Sequence, residues 1–240
     1  MTAADTTKPS LSNVTFASFY IYSPRAAGWV AESSRAMCER VKTSHPVWLP
    51  RYAGTVYRSS LQDPRLSSLF ARGTALVPVP GSAPTGDASW PALELAVVLS
   101  EVGFSLPVWT GLRRRYAVTK SATAASAARP SVQQHFDSFV ATPAMTPAQR
   151  IVLIDDVITK GRTLLAAAAR LRSVLPDADI RAFALIRTQG FAHHMEHLQE
   201  PMSGCDSLGR GRRASGAMSL ACEAIWIGAV AEGRYGSSIR

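Results

Sequence analysis

Residues 151–163 combine side chains and a turn that together could bind a phosphorylated sugar. They read IVLIDDVITKGRT, which is an apolar run, the paired acids Asp155 and Asp156, two apolar residues and a polar turn. Where such a turn opens a helix, its consecutive backbone N–H groups, its threonine hydroxyls and the positive end of the helix dipole hold a phosphate. Gly161 lets the backbone approach the ligand closely. Because the acids just upstream can accept hydrogen bonds from vicinal sugar hydroxyls, the segment predicts a ribose 5-phosphate site.

The residues of the polar turn are the expected phosphate ligands. A purely structural explanation is also open, in which the two acids only solvate a strand end and Thr159 or Thr163 caps the helix. Capping accounts for one threonine, but not for paired acids followed by a glycine-centred turn. We therefore prefer the phosphate site, and its expected contacts are Thr159, Lys160, Gly161, Arg162 and Thr163.

The elements that must position this segment alternate between strands and helices. Short apolar, β-branched runs predict strands, and apolar residues at helical spacing predict helices. In chain order we expect a strand at 14–22, a helix at 28–42, a strand at 74–80, a helix at 90–103, strands at 105–110, 136–141 and 151–156, a helix from 164 and a strand at 180–187. The last three form a strand–helix–strand unit, the building block of a parallel sheet. Such sheets bind ligands outside the carboxyl ends of their strands, where the two acids are expected.

Composition narrows the class of protein and its partners. The 240 residues carry a formal net charge of +9, which favours polyanionic partners such as nucleic acid or a phosphorylated metabolite. The three cysteines lie far apart and form no C-x-x-C pair, so the sequence indicates neither a disulfide framework nor a zinc ribbon. No apolar stretch approaches the roughly 18 residues of a membrane span, and the N-terminus lacks an apolar signal core. We therefore expect a cytoplasmic protein with no membrane partner.

The motif also resembles that of a known family. IVLIDDVITKGRT is similar to the phosphoribosyl-pyrophosphate motif of type I phosphoribosyltransferases, in which two acids lie between apolar residues and a Thr/Gly-rich phosphate loop. LVPVPGS, at 76–82, resembles the strand and first loop that lie beside the pyrophosphate in that family. The resemblance covers about residues 74–190 and is greatest to the ComF-type enzymes, with Lys160 where the family commonly has a small residue. It implies an α/β fold with a central, mostly parallel sheet flanked by helices and a small hood lobe.

That resemblance gives roles to particular residues. Asp155 and Asp156 would contact the ribose 2- and 3-hydroxyls, directly or through Mg²⁺, while the turn at 159–163 would bind the 5-phosphate. The loop after the second strand would lie against the pyrophosphate, through Pro80, Gly81 and Ser82.

A mobile lid is a further feature of the family. Residues 112–134 are polar, basic and rich in alanine and serine, and a segment of this length without regular structure is usually a functional lid or a disordered linker. Lys120 and Arg129 each stand isolated among small residues, so we expect them to face the departing pyrophosphate as catalytic cations. A disordered basic linker is the alternative.

The expected organisation is a lead-in at 1–13, hood elements at 14–73, a phosphoribosyltransferase core at 74–190 and a loop-rich tail at 191–240 with a candidate last strand. The expected function is transfer of phosphoribose from phosphoribosyl pyrophosphate to a nucleobase or amine, with nucleoside monophosphate as a further ligand. The alternative is a non-catalytic regulator or partner subunit that binds nucleic acid through a basic surface containing Arg210–Arg213. A homodimer is also open.

The histidines and cysteines add little chemistry. His135 could touch pyrophosphate or an incoming base, although a lone histidine at a strand start is more often structural. His193, His194 and His197 with Cys205 lack a further ligand of suitable spacing, so a zinc site is not favoured. We expect Cys38 and Cys222 to be small buried apolar residues.

Overall fold

The computed structural model describes residues 13–84, 90–119, 130–142, 149–190 and 195–207. In these ranges the elements are β1 (Asn13–Tyr22), α1 (Trp29–Lys42), α2 (Trp48–Ser60), α3 (Pro64–Leu69), β2 (Thr74–Pro78), α4 (Pro91–Leu99) with a π-helical turn at Ser100–Phe104, β3 (Leu112–Arg114), α5 (Val132–Ser138), β4 (Phe139–Ala141), β5 (Arg150–Ile158), α6 (Arg162–Arg172), β6 (Asp179–Thr188) and β7 (Gln199–Ser207). None of the described helices is both long and apolar enough to cross a membrane.

Five strands form one mostly parallel sheet in the order β2-β5-β6-β1-β7. The first four run parallel, and β7 runs antiparallel to β1 at the edge. A separate antiparallel pair joins β3 to β4. The chain is therefore an α/β protein whose motif strand, β5, lies inside a parallel sheet with β2 and β6 as its neighbours.

Helices cover both faces of this sheet, and β5 supplies apolar side chains to each. Val152 and Ile154 pack in the core under α1, α2 and α4. Ile151 and Leu153 point the other way and pack with α5 and α6. Because successive strand side chains alternate between faces, an unbroken apolar run is what a strand buried on both sides requires. The same alternation decides where the acids that follow these residues point.

Most of the predicted elements are present. The strands at 14–22, 74–80 and 180–187 and the helices at 28–42, 90–103 and 164–174 correspond to β1, β2, β6, α1, α4 and α6. Residues 43–73, expected among the hood elements, form α2 and α3 before a short connection to β2. β7 was not predicted, since its residues read as loop.

Two strand predictions were wrong. The segment 136–141 is a strand only from Phe139, because α5 occupies Val132–Ser138. A capping box starts this helix: Ser131 Oγ accepts from the Gln134 N–H, and Gln134 Oε1 accepts from the Ser131 N–H. The segment 105–110 forms only an isolated parallel bridge between Val108 and Leu76.

Candidate functional site

The carboxyl ends of three neighbouring strands meet where the motif leaves the sheet. Pro78 is paired with Ile154, and the Val79 N–H donates to the Ile154 carbonyl at 2.9 Å, so the loop after β2 emerges beside Asp155. On the other side of β5, the hydroxyls of Thr159 and Thr188 lie 3.2 Å apart. The sheet therefore brings the loop at 80–82 next to the motif, although about 70 residues separate them in the chain.

The turn between β5 and α6 has the geometry of an exposed helix start. Gly161 is the N-cap residue with φ 64°, a left-handed conformation that favours glycine, and α6 begins at Arg162. Among the described residues no side chain caps the helix, so neither threonine of the turn has the capping role that the structural explanation gave it. Thr159 and Lys160 are exposed. The first backbone N–H groups of α6 thus donate to no capping side chain in the described part of the chain.

The paired acids lie within β5 rather than at its end, because the strand continues to Ile158. The alternation along β5 places Asp155 on the face covered by α5 and α6, and Asp156 on the face covered by α1. Their electrostatic neighbours agree, since Arg114 acts on Asp155 while the Asp156 carboxylate helps burial to raise the pKa of the Cys38 thiol. The two carboxylates are nevertheless close neighbours, because a side-chain hydrogen bond with Asp156 is among the causes that raise the pKa of Asp155, and the Asp156 backbone N–H donates to Asp155 Oδ1 at 3.0 Å.

The two acids do not share the same electrostatic environment. Burial raises the pKa of Asp155 well above its usual range, and the neighbouring charge of Asp156 raises it further. The positive charge of Arg114 opposes this rise without cancelling it. The negative charge of ionised Asp155 is therefore not fully balanced by its surroundings. A ligand that brings a cation or hydrogen-bond donors would stabilise this charge.

Behind the loop at 80–82 lies a buried arginine, Arg114. Its guanidinium donates to the Gly81 carbonyl and to Ser138 Oγ, and its Nη2 lies 3.3 Å from His135 Nδ1. Its Cζ stacks 4.2 Å from the centroid of the Phe139 ring. Burial lowers the pKa of Arg114 to about 10, which leaves the side chain charged at neutral pH. No described carboxylate lies within ion-pair distance of it.

His135 connects this arginine to the first turn of α6. A guanidinium can only donate, so Nδ1 accepts from Arg114 and the proton of the neutral ring is on Nε2, 3.5 Å from Thr163 Oγ1. Burial lowers the pKa of His135 to about 4, and the charges of Arg114 and Arg162 add to the effect. The ring is therefore neutral at physiological pH and positions its neighbours.

Arg162 ties the start of α6 to another predicted part of the site. Its Nη1 donates to the Pro130 carbonyl at 3.3 Å, inside the segment 112–134 predicted to be the lid. Elsewhere in that segment, the Val118 N–H donates to the Ser82 carbonyl at 2.7 Å. Two residues of the predicted lid thus contact residues expected to bind ligand, although β3 and the start of α5 show that the segment is not irregular throughout. Lys120 and Arg129 lie outside the described residues.

Of the loop residues expected to lie against the pyrophosphate, Pro80 is buried and Gly81 is exposed. The zinc site at the histidines was not favoured; His193 and His194 lie outside the described residues, and His197 Nε2 lies 3.4 Å from Glu200 Oε2.

Sequence reasoning missed the joint position of Arg114 and His135. Along β3, Leu112 and Arg114 are buried while Arg113 between them is exposed. The sequence shows three adjacent arginines there, and only the pairing of β3 with β4 shows which one turns inward.

The two carboxylates within β5 are also candidate ligands for a metal ion. Carboxylate oxygens are the ligands that Mg²⁺ prefers, and in phosphate chemistry it is usually held by one or two carboxylates together with substrate phosphates. No cluster of three or more His, Cys, Asp or Glu side chains occurs among the described residues. The carboxylates of Asp155 and Asp156 are of the type and number that such a magnesium ion takes from a protein.

No protein-family model matches the chain, and a search of curated proteins also finds no match.

Proposed function

We propose that this protein binds phosphoribosyl pyrophosphate with Mg²⁺ at the carboxyl edge of its parallel sheet. One observation carries the proposal: the loop at 80–82, the acids Asp155 and Asp156 and the uncapped start of α6 lie at the same edge. These three features match the three parts of the ligand, which are a pyrophosphate, a vicinal diol and a 5-phosphate.

Each feature has a specific role in this proposal. The 5-phosphate accepts hydrogen bonds from the backbone N–H groups at the start of α6, where the left-handed Gly161 allows close approach. The ribose hydroxyls donate to Asp155 and Asp156, which supplies the compensation that the ionised Asp155 lacks. The pyrophosphate lies against the loop at 80–82, which Arg114 supports from behind through the Gly81 carbonyl. Magnesium, when bound, neutralises the charge of the phosphate oxygens.

We further propose transfer of phosphoribose to a nucleobase or amine. Breaking the bond from the anomeric carbon to pyrophosphate leaves a cationic sugar and a polyanion, so the protein must stabilise the departing charge rather than supply a nucleophile. Lys120 and Arg129 are proposed to do so from the lid, together with the positive field of Arg114.

Calorimetric titration with phosphoribosyl pyrophosphate and Mg²⁺ tests the binding proposal. We expect wild type to bind and the double variant Asp155→Asn, Asp156→Asn to lose binding, since amides cannot compensate a metal or accept as strongly from hydroxyls. Asp179→Asn is the matched control, because Asp179 begins β6 at the opposite edge and only pairs with Arg181 at the surface. Absence of binding in wild type, or unchanged binding in the double variant, contradicts the proposal.

A pyrophosphate-release assay over a panel of nucleobases and amines then separates the enzyme from the alternative regulator. Release with one acceptor, lost in Lys120→Ala and Arg129→Ala, supports transfer. Binding without release from any acceptor supports a non-catalytic regulator. An electrophoretic shift measured at two salt concentrations then tests whether that regulator binds nucleic acid.

A further inference from the structure

A second concave feature lies away from the site described above, between α1, α2 and the β1–β7 edge. It is a cavity of about 390 Å³, which lies within the range of about 300–1,000 Å³ typical of small-molecule sites. The wall on α2 consists of Trp48, Arg51, Tyr52 and Thr55. Their i, i+3, i+4, i+7 spacing places them on one helix face. This helix face therefore turns rings, a hydroxyl and a cation toward the cavity, where a core-facing helix would turn aliphatic side chains.

The charge in the cavity is entirely positive among the described residues. Arg40 from α1 and Arg51 from α2 both line it, and no aspartate or glutamate does. Neither arginine forms an ion pair in the described part of the chain. Two guanidiniums that line one cavity without a carboxylate repel each other, and a bound anion would remove that repulsion.

Both guanidiniums lie over the Trp48 ring. The Cζ atoms of Arg40 and Arg51 lie 4.3 Å and 5.1 Å from its centroid. A guanidinium over an aromatic face keeps N–H donors available to an oxyanion. One contact of these donors is weak, a 3.5 Å approach of Arg40 Nη1 to Tyr52 Oη. Arg40 and Arg51 are therefore the candidate donors to an oxyanion in the cavity, and we call them the clamp.

The remaining walls favour a flat ligand. The rings of Trp48 and Tyr52 are stacked with centroids 5.9 Å apart, and Tyr20 meets Tyr52 edge-on at 5.5 Å. Burial raises the pKa of Tyr20 to about 12, so its hydroxyl is neutral and brings no negative charge near the clamp. Three aromatic residues thus line the cavity, and an aromatic lining suits a planar ring that carries polar substituents.

We infer that this cavity binds a small ligand made of a planar ring with an attached oxyanion, either a carboxylate or a phosphate. The clamp of Arg40 and Arg51 holds the oxyanion, and the rings of Tyr20 and Tyr52 contact the planar part. None of the lining residues belongs to the loop at 80–82, the motif acids or the turn before α6. The inference therefore stands whether or not phosphoribosyl pyrophosphate binds at the sheet edge.

Titration with two probes distinguishes the two oxyanions. Orotate presents a planar ring with a carboxylate, and adenosine monophosphate presents a planar ring with a phosphate; uracil and adenosine are their uncharged counterparts. We expect at least one anion to bind and its uncharged counterpart to bind about tenfold more weakly, because charge-assisted hydrogen bonds are lost. Binding of orotate alone assigns a carboxylate, and binding of the monophosphate alone assigns a phosphate. If neither binds at millimolar concentration, the inference is wrong.

Variants locate the binding. Arg51→Gln and Arg40→Gln should each weaken the anion about tenfold, while Arg72→Gln removes one exposed arginine elsewhere and should change nothing. Trp48→Phe should abolish the ligand-induced change in tryptophan fluorescence while calorimetry still detects binding. Equal affinity in wild type and Arg51→Gln, which keeps its fold because Arg51 is exposed, would refute the clamp.

Discussion

His135 should make the stability of this protein sensitive to mild acid. Its ring is 3% exposed, and burial together with two nearby arginines lowers its pKa from 6.5 to about 4. The unfolded chain therefore binds a proton between these pH values while the folded chain does not. Stability contributed by the neutral ring is fully present above pH 6.5 and is lost as pH falls toward the folded pKa.

The size of this loss follows from the two pKa values. A tenfold difference in proton affinity is worth about 1.4 kcal/mol, so complete protonation of His135 would cost the folded state about 3 kcal/mol. Between neutral pH and pH 5, where the unfolded chain is almost fully protonated at this position, the loss is about 2 kcal/mol.

Urea unfolding of wild type and His135→Asn at several pH values between 5 and 7.5 measures the contribution of His135 to the pH dependence of stability. The asparagine Oδ1 keeps an acceptor for Arg114 but does not titrate. Other groups, including Asp155, titrate in both proteins and cancel in the difference. We expect wild type to lose about 2 kcal/mol more than the variant between pH 7.5 and pH 5. Parallel pH profiles in the two proteins would show that the ring is not held neutral by its surroundings.

Three further predictions address the motif and its support. Asp155→Asn should raise the urea midpoint at neutral pH, because it removes a carboxylate whose pKa is raised by burial. This gain in stability should shrink as pH falls through the raised pKa, where the wild-type carboxyl becomes protonated. No gain at neutral pH would contradict the electrostatic description. Gly161→Ala should lower the free energy of unfolding by roughly 1 kcal/mol, because φ at this position is 64°. Gly161→Asn should lower it less, since asparagine tolerates the left-handed conformation better. Equal losses in the two variants would show that the left-handed conformation does not cause the destabilisation. Arg114→Lys should destabilise by about 1–3 kcal/mol because Gly81, Ser138 and His135 lose donors that one ammonium cannot replace, and an unchanged midpoint would contradict that network.

The motif and its flanking elements were predictable because their signals are local. An unbroken apolar run marks β5, and helical spacing of apolar residues after Gly161 marks α6. The capping box of Ser131 and Gln134 is equally local and could have identified α5.

The features that the sequence did not predict depend on contacts between elements that are far apart in the chain. The position of β1 between β6 and β7 follows from pairings across about 170 residues, for which no local pattern exists. Arg114 was one of three adjacent arginines, and its burial depends on β3 pairing with β4. The contact of His135 with Arg114 and Thr163 requires β3, α5 and α6 to pack together.

The charges at the sheet edge favour a binding site over a purely structural cluster. A structural pair would bring Arg114 and Asp155 into contact, since a buried ion pair needs close geometry to offset the cost of removing both charges from water. Instead, Arg114 donates to neutral acceptors, and Asp155 retains a raised pKa although it lies on the same face of the sheet. Among the described residues, the positive charge of Arg114 therefore lacks a contacting anion, and the negative charge of Asp155 is not fully balanced by a cation. A ligand that carries phosphate oxygens for the cation and hydroxyls or Mg²⁺ for the acids would satisfy both, and phosphoribosyl pyrophosphate has each of these groups.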